Sequence, residues 1–376
     1  MRPGSPPRRH HKRRLSPAPR SVLDLTPVGR PPSAQHPRYG RREQTMTAAD
    51  VVVVGGGVIG MTTAVTLQRR GARVTVLTAH DPADIVSTVA AAVWYPSHTD
   101  EDPRVLRWAR DTHAELRRQA ADGVPGVVDR PTRMWLRRPY HGPPWWADAC
   151  GDLVAEPARP PYTALLRFTA PTVEMNRYLT WLYRQVENGG GQVVRRAVGA
   201  LAEAYEVAPV VVNATGLAAG RLADDPAVHP ARGHVLLVAN PGLTVSVRDE
   251  DHPAGVTYVH PRRHDVVLGG TYEPGVAHTR PDPEAAAAIR RRCVALVPRL
   301  ADAPVLGERI GLRPVRHGGP RVEVDPADGR LVHAYGHGGA GVTLSWGCAA
   351  EVADLALDVR RPVRRGGGAS RTASGR

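Results

Sequence analysis

The sequence predicts an α/β protein: a Rossmann-like domain, discontinuous in sequence, joined to a mostly antiparallel-sheet α+β domain. Three observations predict it. A β-branched run, a glycine turn and an apolar-periodic helix follow one another at Val51–Arg70. Further β-branched runs at Gln192–Arg195 and Val210–Asn213 read as buried parallel strands. Three alternating runs separated by turn signals (232–238, 257–262 and 266–271) read as antiparallel sheet.

The first unit carries the strongest signal. Val51–Val54 runs directly into Gly55-Gly56-Gly57-Val58-Ile59-Gly60, a G-x-G-x-x-G motif on Gly55, Gly57 and Gly60. Strand, glycine turn, helix and a second strand at Arg73–Thr78 are the context that gives this motif meaning. Gly55 permits the tight turn, Gly57 lets backbone approach a pyrophosphate, and Gly60 lets the helix pack on the strand. Val58 and Ile59 open that helix, whose free N–H groups and positive dipole end suit phosphate. A ribose-binding acid is expected where the second strand ends, yet that place reads Thr78-Ala79-His80, with Asp81 just beyond. The departure weakens NAD and leaves FAD open.

At 376 residues with 42% apolar content the chain can bury a sizeable core. Its net charge of +14 resides in the ends. Residues 1–45 hold eleven Lys and Arg against Asp24 and Glu43, residues 360–376 hold six Arg and no acid, and the span between is near neutral. A nucleic-acid-binding face would leave an excess in the folded part, so nucleic acid is excluded as a partner. Both ends are expected to be disordered basic segments, and Met46 reads as the working start. No apolar run suits a membrane span. Three scattered cysteines (Cys150, Cys293, Cys348) argue against a disulfide framework and for a reducing, cytoplasmic location. His10-His11, His260 with His264, and His333 with His337 lack partner ligands at metal-binding spacing, so no metal is expected.

Along the chain, 79–100 reads as a loop and short helix rich in small residues, as needed where backbone passes close to a ligand. Helices are expected at 104–119, 173–187 (ended by Gly189-Gly190-Gly191), 283–296 (started by Pro281 and Pro283) and 342–357. Strands are expected at 133–138, 162–170 and 329–334.

A second glycine loop, Tyr335–Gly347, feeds another helix N-terminus. A dinucleotide has one pyrophosphate, so a second such loop suits the N1/C2=O edge of an isoalloxazine, where negative charge develops on reduction. Just upstream, Gly311-Leu312-Arg313-Pro314-Val315-Arg316 holds Arg313 extended before proline. An arginine fixed there can grip a carboxylate through two parallel hydrogen bonds.

On these residues, with Val89–Pro96, Val211–Gly216, Ala231–Val235 and Tyr258–Pro261, the chain resembles the FAD-dependent D-amino-acid oxidases and D-aspartate oxidases over residues 50–357. The resemblance implies FAD-dependent oxidative deamination of D-amino acids. Hydride would leave Cα for flavin N5, O2 would accept the electrons, and 2-oxo acid, ammonia and H2O2 would form. It implies that Arg313 binds the α-carboxylate, Tyr258 adds a hydrogen bond to it, and a carbonyl near Gly339 receives the amine. Gly55, Gly57, Val58, Ile59, Gly60, Ala79, His80, Ser87, Ala91 and Ala92 would line the ADP, pyrophosphate and neighbouring flavin. Gly338, Gly339, Gly341, Val342 and Thr343 would face the flavin O2 edge. The FAD-binding domain would comprise 46–100, 192–230 and 305–359, and the substrate or cap domain 101–191 and 231–304. A homodimer is allowed. Where many members carry a lid tyrosine, this chain has the short acidic stretch Asp249–Gly255, which reads as a solvated surface loop.

Neutral side chains are the expected substrates. D-Aspartate, glycine or sarcosine are alternatives, with Arg262, Arg316 and His260 available for a second carboxylate. A non-catalytic dinucleotide sensor is the alternative from another class, and it leaves Arg313 and the second loop without a task.

Overall fold

In the computed structural model, residues 48–96, 99 and 102–360 are described. The expectations about residues 1–45, Met46 and the tail beyond residue 360 lie outside them. The chain begins β1 (Val51–Val54), α1 (Val58–Arg69), β2 (Val74–Thr78), α2 (Pro103–Ala121), β3 (Val127–Leu136) and α3 (Ala147–Cys150). It continues β4 (Val154–Pro157), β5 (Ala164–Val173), α4 (Met175–Asn188), β6 (Gln192–Arg195), β7 (Val210–Asn213) and α5 (Ala219–Leu222). Then follow β8 (Val228–Ala239), β9 (Ser246–Asp249), β10 (Thr257–Pro261), β11 (Asp265–Gly269), β12 (Glu273–Pro274) and α6 (Pro283–Leu296). The last elements are β13 (Val305–Arg316), β14 (Arg321–Val324), β15 (Leu331–Tyr335) and α7 (Gly341–Arg360).

The first sheet has strand order β14-β15-β7-β1-β2-β6. Its central strands pair in parallel, Val51–Val54 lying between Val74–Leu77 and Val210–Asn213. Four consecutive valines suit a strand covered on both faces, and all four are buried. Helices α1 and α7 lie against each other on this sheet, and two more helices cover them. Gly347 of α7 abuts the Trp108 backbone of α2. The Tyr178 hydroxyl of α4 accepts the Trp346 indole N–H at 2.8 Å.

The second sheet runs β12-β8-β11-β10-β9-β3-β5-β4, with β13 on the other edge of β8. It is antiparallel except where β3 and β9 pair in parallel. Alternation sends its two faces to different tasks. Leu236, Val238, Val259, Val266 and Leu268 face α6, packing with Ile289 and Cys293. Val235, Tyr258 and Val267 form the opposite face, against Ala91 of the loop after β2.

Two expected boundaries move. Residues 305–316 were expected with the first sheet, yet β13 pairs with β8 from Val305 to Arg316, so Arg313 belongs to the second sheet. The long antiparallel register with β8 outweighs sequence proximity to β14 and β15. Helices α2 and α4, expected in the cap, pack their apolar stripes (Val105, Trp108, Leu116; Tyr178, Leu182, Val186) largely on α7 and α1, while α2 also meets the second sheet, where Arg117 pairs with Asp129 of β3. Among the described residues no helix is long and apolar enough to cross a membrane.

A Cβ on Gly347 would meet Trp108 backbone at 2.4 Å, whereas one on Gly329 would enter open space. Gly347→Ala is therefore expected to cost about 2 kcal/mol by forcing α2 and α7 apart. Thermal denaturation should show a Tm lower by roughly 5 °C, with Gly329→Ala as the near-neutral control.

Candidate active site

The glycines at the end of β1 are there because nothing else fits. Gly55 has φ +125°, and a Cβ on it would sit 2.2 Å from the Ala214 carbonyl oxygen. A Cβ on Gly60 would sit 1.9 Å from the carbonyl oxygen of Gly55. The Tyr183 hydroxyl of α4 donates to the Gly56 carbonyl at 3.1 Å, a buttress that the motif alone does not reveal. Helix α1 has no acidic residue in its first turn. Its first N–H, on Val58, is accepted by the Ser87 hydroxyl at 3.1 Å, which sets Ser87 at the N-terminus of α1.

The second loop reaches the same place. Gly336 and Gly338 take φ +84° and +53°, a short turn spans Gly338–Ala340, and α7 starts at Gly341, again with no acid in its first turn. A Cβ on Gly341 would lie 3.8 Å from Val58 Cγ1, so the two helix N-termini adjoin. Two positive helix ends side by side, each free of acidic side chains, suit one extended anionic molecule better than two separate ligands. The cradle fits a dinucleotide carrying a flavin.

The remaining cofactor candidates divide. Ala91 packs on the site face of the second sheet, and Ala92 beside it holds φ +54°, a conformation that alanine rarely adopts. Ala79 and His80 are exposed past the end of β2, where Thr78 Oγ1 donates to the His80 carbonyl at 3.0 Å. Asp81 pairs with Arg195. The Thr343 hydroxyl is occupied: it donates to the Tyr95 carbonyl at 3.0 Å and accepts the Tyr95 N–H at 3.1 Å. Its expected contact with a flavin edge is thereby left to its backbone, along with that of Val342.

Arg313 lies across β8. Its Nη1 donates to the Arg232 carbonyl and its Nη2 to the Thr271 carbonyl, both at 3.1 Å, which fixes the fork and leaves three of its five N–H donors. A Cβ on Gly233 would come within 2.3 Å of Nη1, so glycine there is what admits the side chain. Gly339 sits over the same arginine, a Cβ on it falling 3.5 Å from Arg313 Cδ. From β10 the Tyr258 ring lies over Gly269, and a Cβ on Gly270 would be 3.3 Å from its hydroxyl. Burial raises the Tyr258 pKa, while Arg313 and Arg248 pull it the other way. Arg313, Tyr258 and Gly339 thus lie near one another.

Arg248 is the residue that sequence reasoning missed. It lies directly opposite Tyr258 in the β9–β10 register. Its guanidinium rests 3.9 Å from the centre of the Tyr95 ring, and Nη2 donates to Glu250 at 2.9 Å. The Tyr95 hydroxyl donates to the other Glu250 oxygen at 2.9 Å. Burial, the largest single influence, would lower the Arg248 pKa, but Glu250, Tyr95 and Tyr258 together outweigh it and the net direction is up. The cations proposed from sequence are spent elsewhere: Arg262 on Asp265, and Arg316 on Asp225. Burial, followed by the charge of Arg248, holds His260 well below the usual imidazole range, so it is neutral.

The acidic stretch is solvated in part, with Glu250 and Pro253 to Gly255 exposed, but its first residue is not. Asp249 is 1% exposed, with Arg137 Nη2 at 2.7 Å and the Tyr162 hydroxyl at 3.1 Å, and Asp251 meets Arg138 at 3.1 Å. A cavity of about 330 Å³ opens beneath it, lined in part by Arg248, Glu250 and Thr257. Of the histidines singled out above, His10 and His11 lie outside the described residues, and His333 and His337 are structural. His333 bridges Asn213 and Asp325, and burial lowers His337 to a pKa of about 4 beside Cys348. Among the described residues no group of His, Cys, Asp and Glu could hold a metal ion.

Comparison with known proteins agrees with this geometry. The family model described as DAO, FAD dependent oxidoreductase, matches residues 50–355. The chain is 48% identical to a D-amino-acid oxidase of Rubrobacter xylanophilus over 315 residues, 82% of this chain and 96% of that one. It is 43% identical to a D-amino-acid oxidase of Streptomyces coelicolor over 312 residues, with shares of 82% and 96%. Among solved structures, glycine oxidase from Geobacillus kaustophilus superposes with a TM-score of 0.73 at 21% identity, covering 83% of this chain and 95% of that one, a likeness of fold. The glycine cradle, the anchored arginine and these matches together place the chain in the DAO family of FAD-dependent oxidoreductases.

Proposed function

We propose that the protein oxidatively deaminates D-amino acids with neutral side chains, forming 2-oxo acids and ammonia and passing the electrons to O2 as H2O2. The observation that carries the reading is Arg313: a fork anchored at both terminal nitrogens, with three donors left, beside the second glycine loop. The D-amino-acid oxidase relatives support the reaction class.

The Gly55–Gly60 turn and the Gly338–Thr343 segment would hold FAD, which would supply the two-electron acceptor. The protein's part is orientation. Arg313 pairs with the substrate carboxylate in a charge-assisted, bidentate contact. Tyr258, kept protonated by burial, donates to the same carboxylate. A carbonyl near Gly339 accepts an amine N–H and fixes a second point; the amine reacts in its neutral form, whose lone pair assists removal of the Cα hydrogen. Two anchors held in fixed positions by the protein would orient Cα so that one enantiomer is preferred.

The neutral side-chain preference rests on Arg248 and Glu250. Their charges cancel next to Tyr258, so an acidic side chain meets no free cation and a basic one no free anion. A D-aspartate enzyme is the second reading, favoured by the presence of Arg248 and by 34% identity to a human D-aspartate oxidase.

Anaerobic mixing with D-alanine, but not L-alanine, should bleach the flavin absorbance. Arg313→Ala should retain FAD while kcat/KM for D-alanine falls about a hundredfold or more; unchanged kinetics would refute the assignment. Glu250→Gln should unmask Arg248 and raise kcat/KM for D-aspartate relative to D-alanine on the order of tenfold. A ratio that stays constant would show that Arg248 does not reach the substrate.

A further inference from the structure

Two buried polar atoms on the site face have no protein partner: Nδ1 of His260 and Oγ of Ser246. His260 is 2% exposed and Ser246 fully buried. Their positions follow from the sheet. His260 stands two residues after Tyr258 on β10, so both side chains leave the same face. The His260 ring stacks on the Tyr258 ring at 4.5 Å, with 15° between planes. Strand β9 pairs Arg248 with Tyr258 and Val247 with Val259. One further step in that register sets Ser246 opposite His260, again on the site face. Around them the face is apolar, with Val235, Val267 and Leu237.

Buried polar atoms are nearly always satisfied. Two left open side by side, behind the tyrosine that would hold the substrate carboxylate, suit a polar group arriving with the substrate. Its charge class is limited. Arg248, the cation whose charge acts on His260, is already matched by Glu250, and His260 is neutral in this setting. A neutral imidazole nitrogen and a hydroxyl can pair with a hydroxyl or a carboxamide but do not compensate an ion.

We propose that His260 and Ser246 are specificity-determining residues that hydrogen-bond a hydroxyl or carboxamide on the substrate side chain, so that the enzyme prefers polar uncharged D-amino acids over apolar ones of the same shape. The proposal rests on reading this face as the substrate site.

The test compares kcat/KM for two isosteric pairs, D-asparagine with D-leucine and D-serine with D-2-aminobutyrate. The wild-type enzyme should favour the polar member of each. His260→Leu should lower both polar-to-apolar ratios about tenfold or more, and Ser246→Ala should lower them in the same direction by less. FAD content and the flavin spectrum report whether each variant is folded, and Ser246→Ala, the smaller change, decides if His260→Leu does not fold. Ratios that neither variant moves, or a wild-type preference for the apolar members, would overturn the proposal while D-amino-acid turnover itself stands. Absence of turnover with every D-amino acid would overturn the underlying reading as well.

Discussion

The contact between Val58 and Gly341 is the constraint on which the rest of the site depends. It requires two helices, starting far apart in the sequence, to begin at neighbouring points above one parallel sheet. That is possible only if both strand-to-helix turns are nearly free of side chains. Gly55 and Gly60 meet the need at one turn, and Gly336, Gly338 and Gly339 at the other. The same crowding propagates outward. With α1 and α7 side by side, Gly347 must let α2 approach to backbone contact, and α4 must reach over to brace Gly56 through Tyr183. The electrostatic result is two helix ends of positive polarity over one cradle, with no acidic residue in either first turn.

The second sheet supplies the other half of the chemistry, and it does so through one face. Tyr258 and Arg248 sit opposite each other, and Arg313 reaches across β8 above Gly233. The far face is an ordinary apolar core against α6. Placing Arg313 on β13, within this sheet, separates the proposed substrate grip from the proposed cofactor cradle along the chain, while Gly339 brings the two together in space. The rim above this face is tied by Arg137 to Asp249 and by Arg138 to Asp251. Asp249 is almost wholly buried, and a buried carboxylate is tolerated only when it is paired in this way.

Much of this was legible in the sequence because it is local. The Val51–Gly60 turn, the Tyr335–Gly347 loop and Arg313 before Pro314 each carry their meaning within a dozen residues. The helix at Pro283–Leu296 is marked by its prolines in the same way, and its bounds agree with the structure. What was not legible depends on pairings between distant segments. Residues 305–316 resemble a lead-in to β14, and only the register with β8 assigns them to the second sheet. Arg248 looks like any surface arginine until β9 sets it against Tyr258 and Tyr95. Asp249, opening the acidic stretch beyond it, looks solvated until Arg137, over a hundred residues earlier, is found against it.

The central claim is that one FAD spans the two glycine turns with a substrate carboxylate on Arg313. A crystal structure of the holoenzyme with a non-oxidisable aromatic carboxylate tests it most directly. The account predicts the pyrophosphate at the N-terminus of α1, the isoalloxazine O2 edge at the N-terminus of α7, and both carboxylate oxygens within hydrogen-bonding distance of Arg313, with Tyr258 on one of them. A carboxylate bound away from Arg313, or a flavin ring that does not approach Gly338–Thr343, would contradict it.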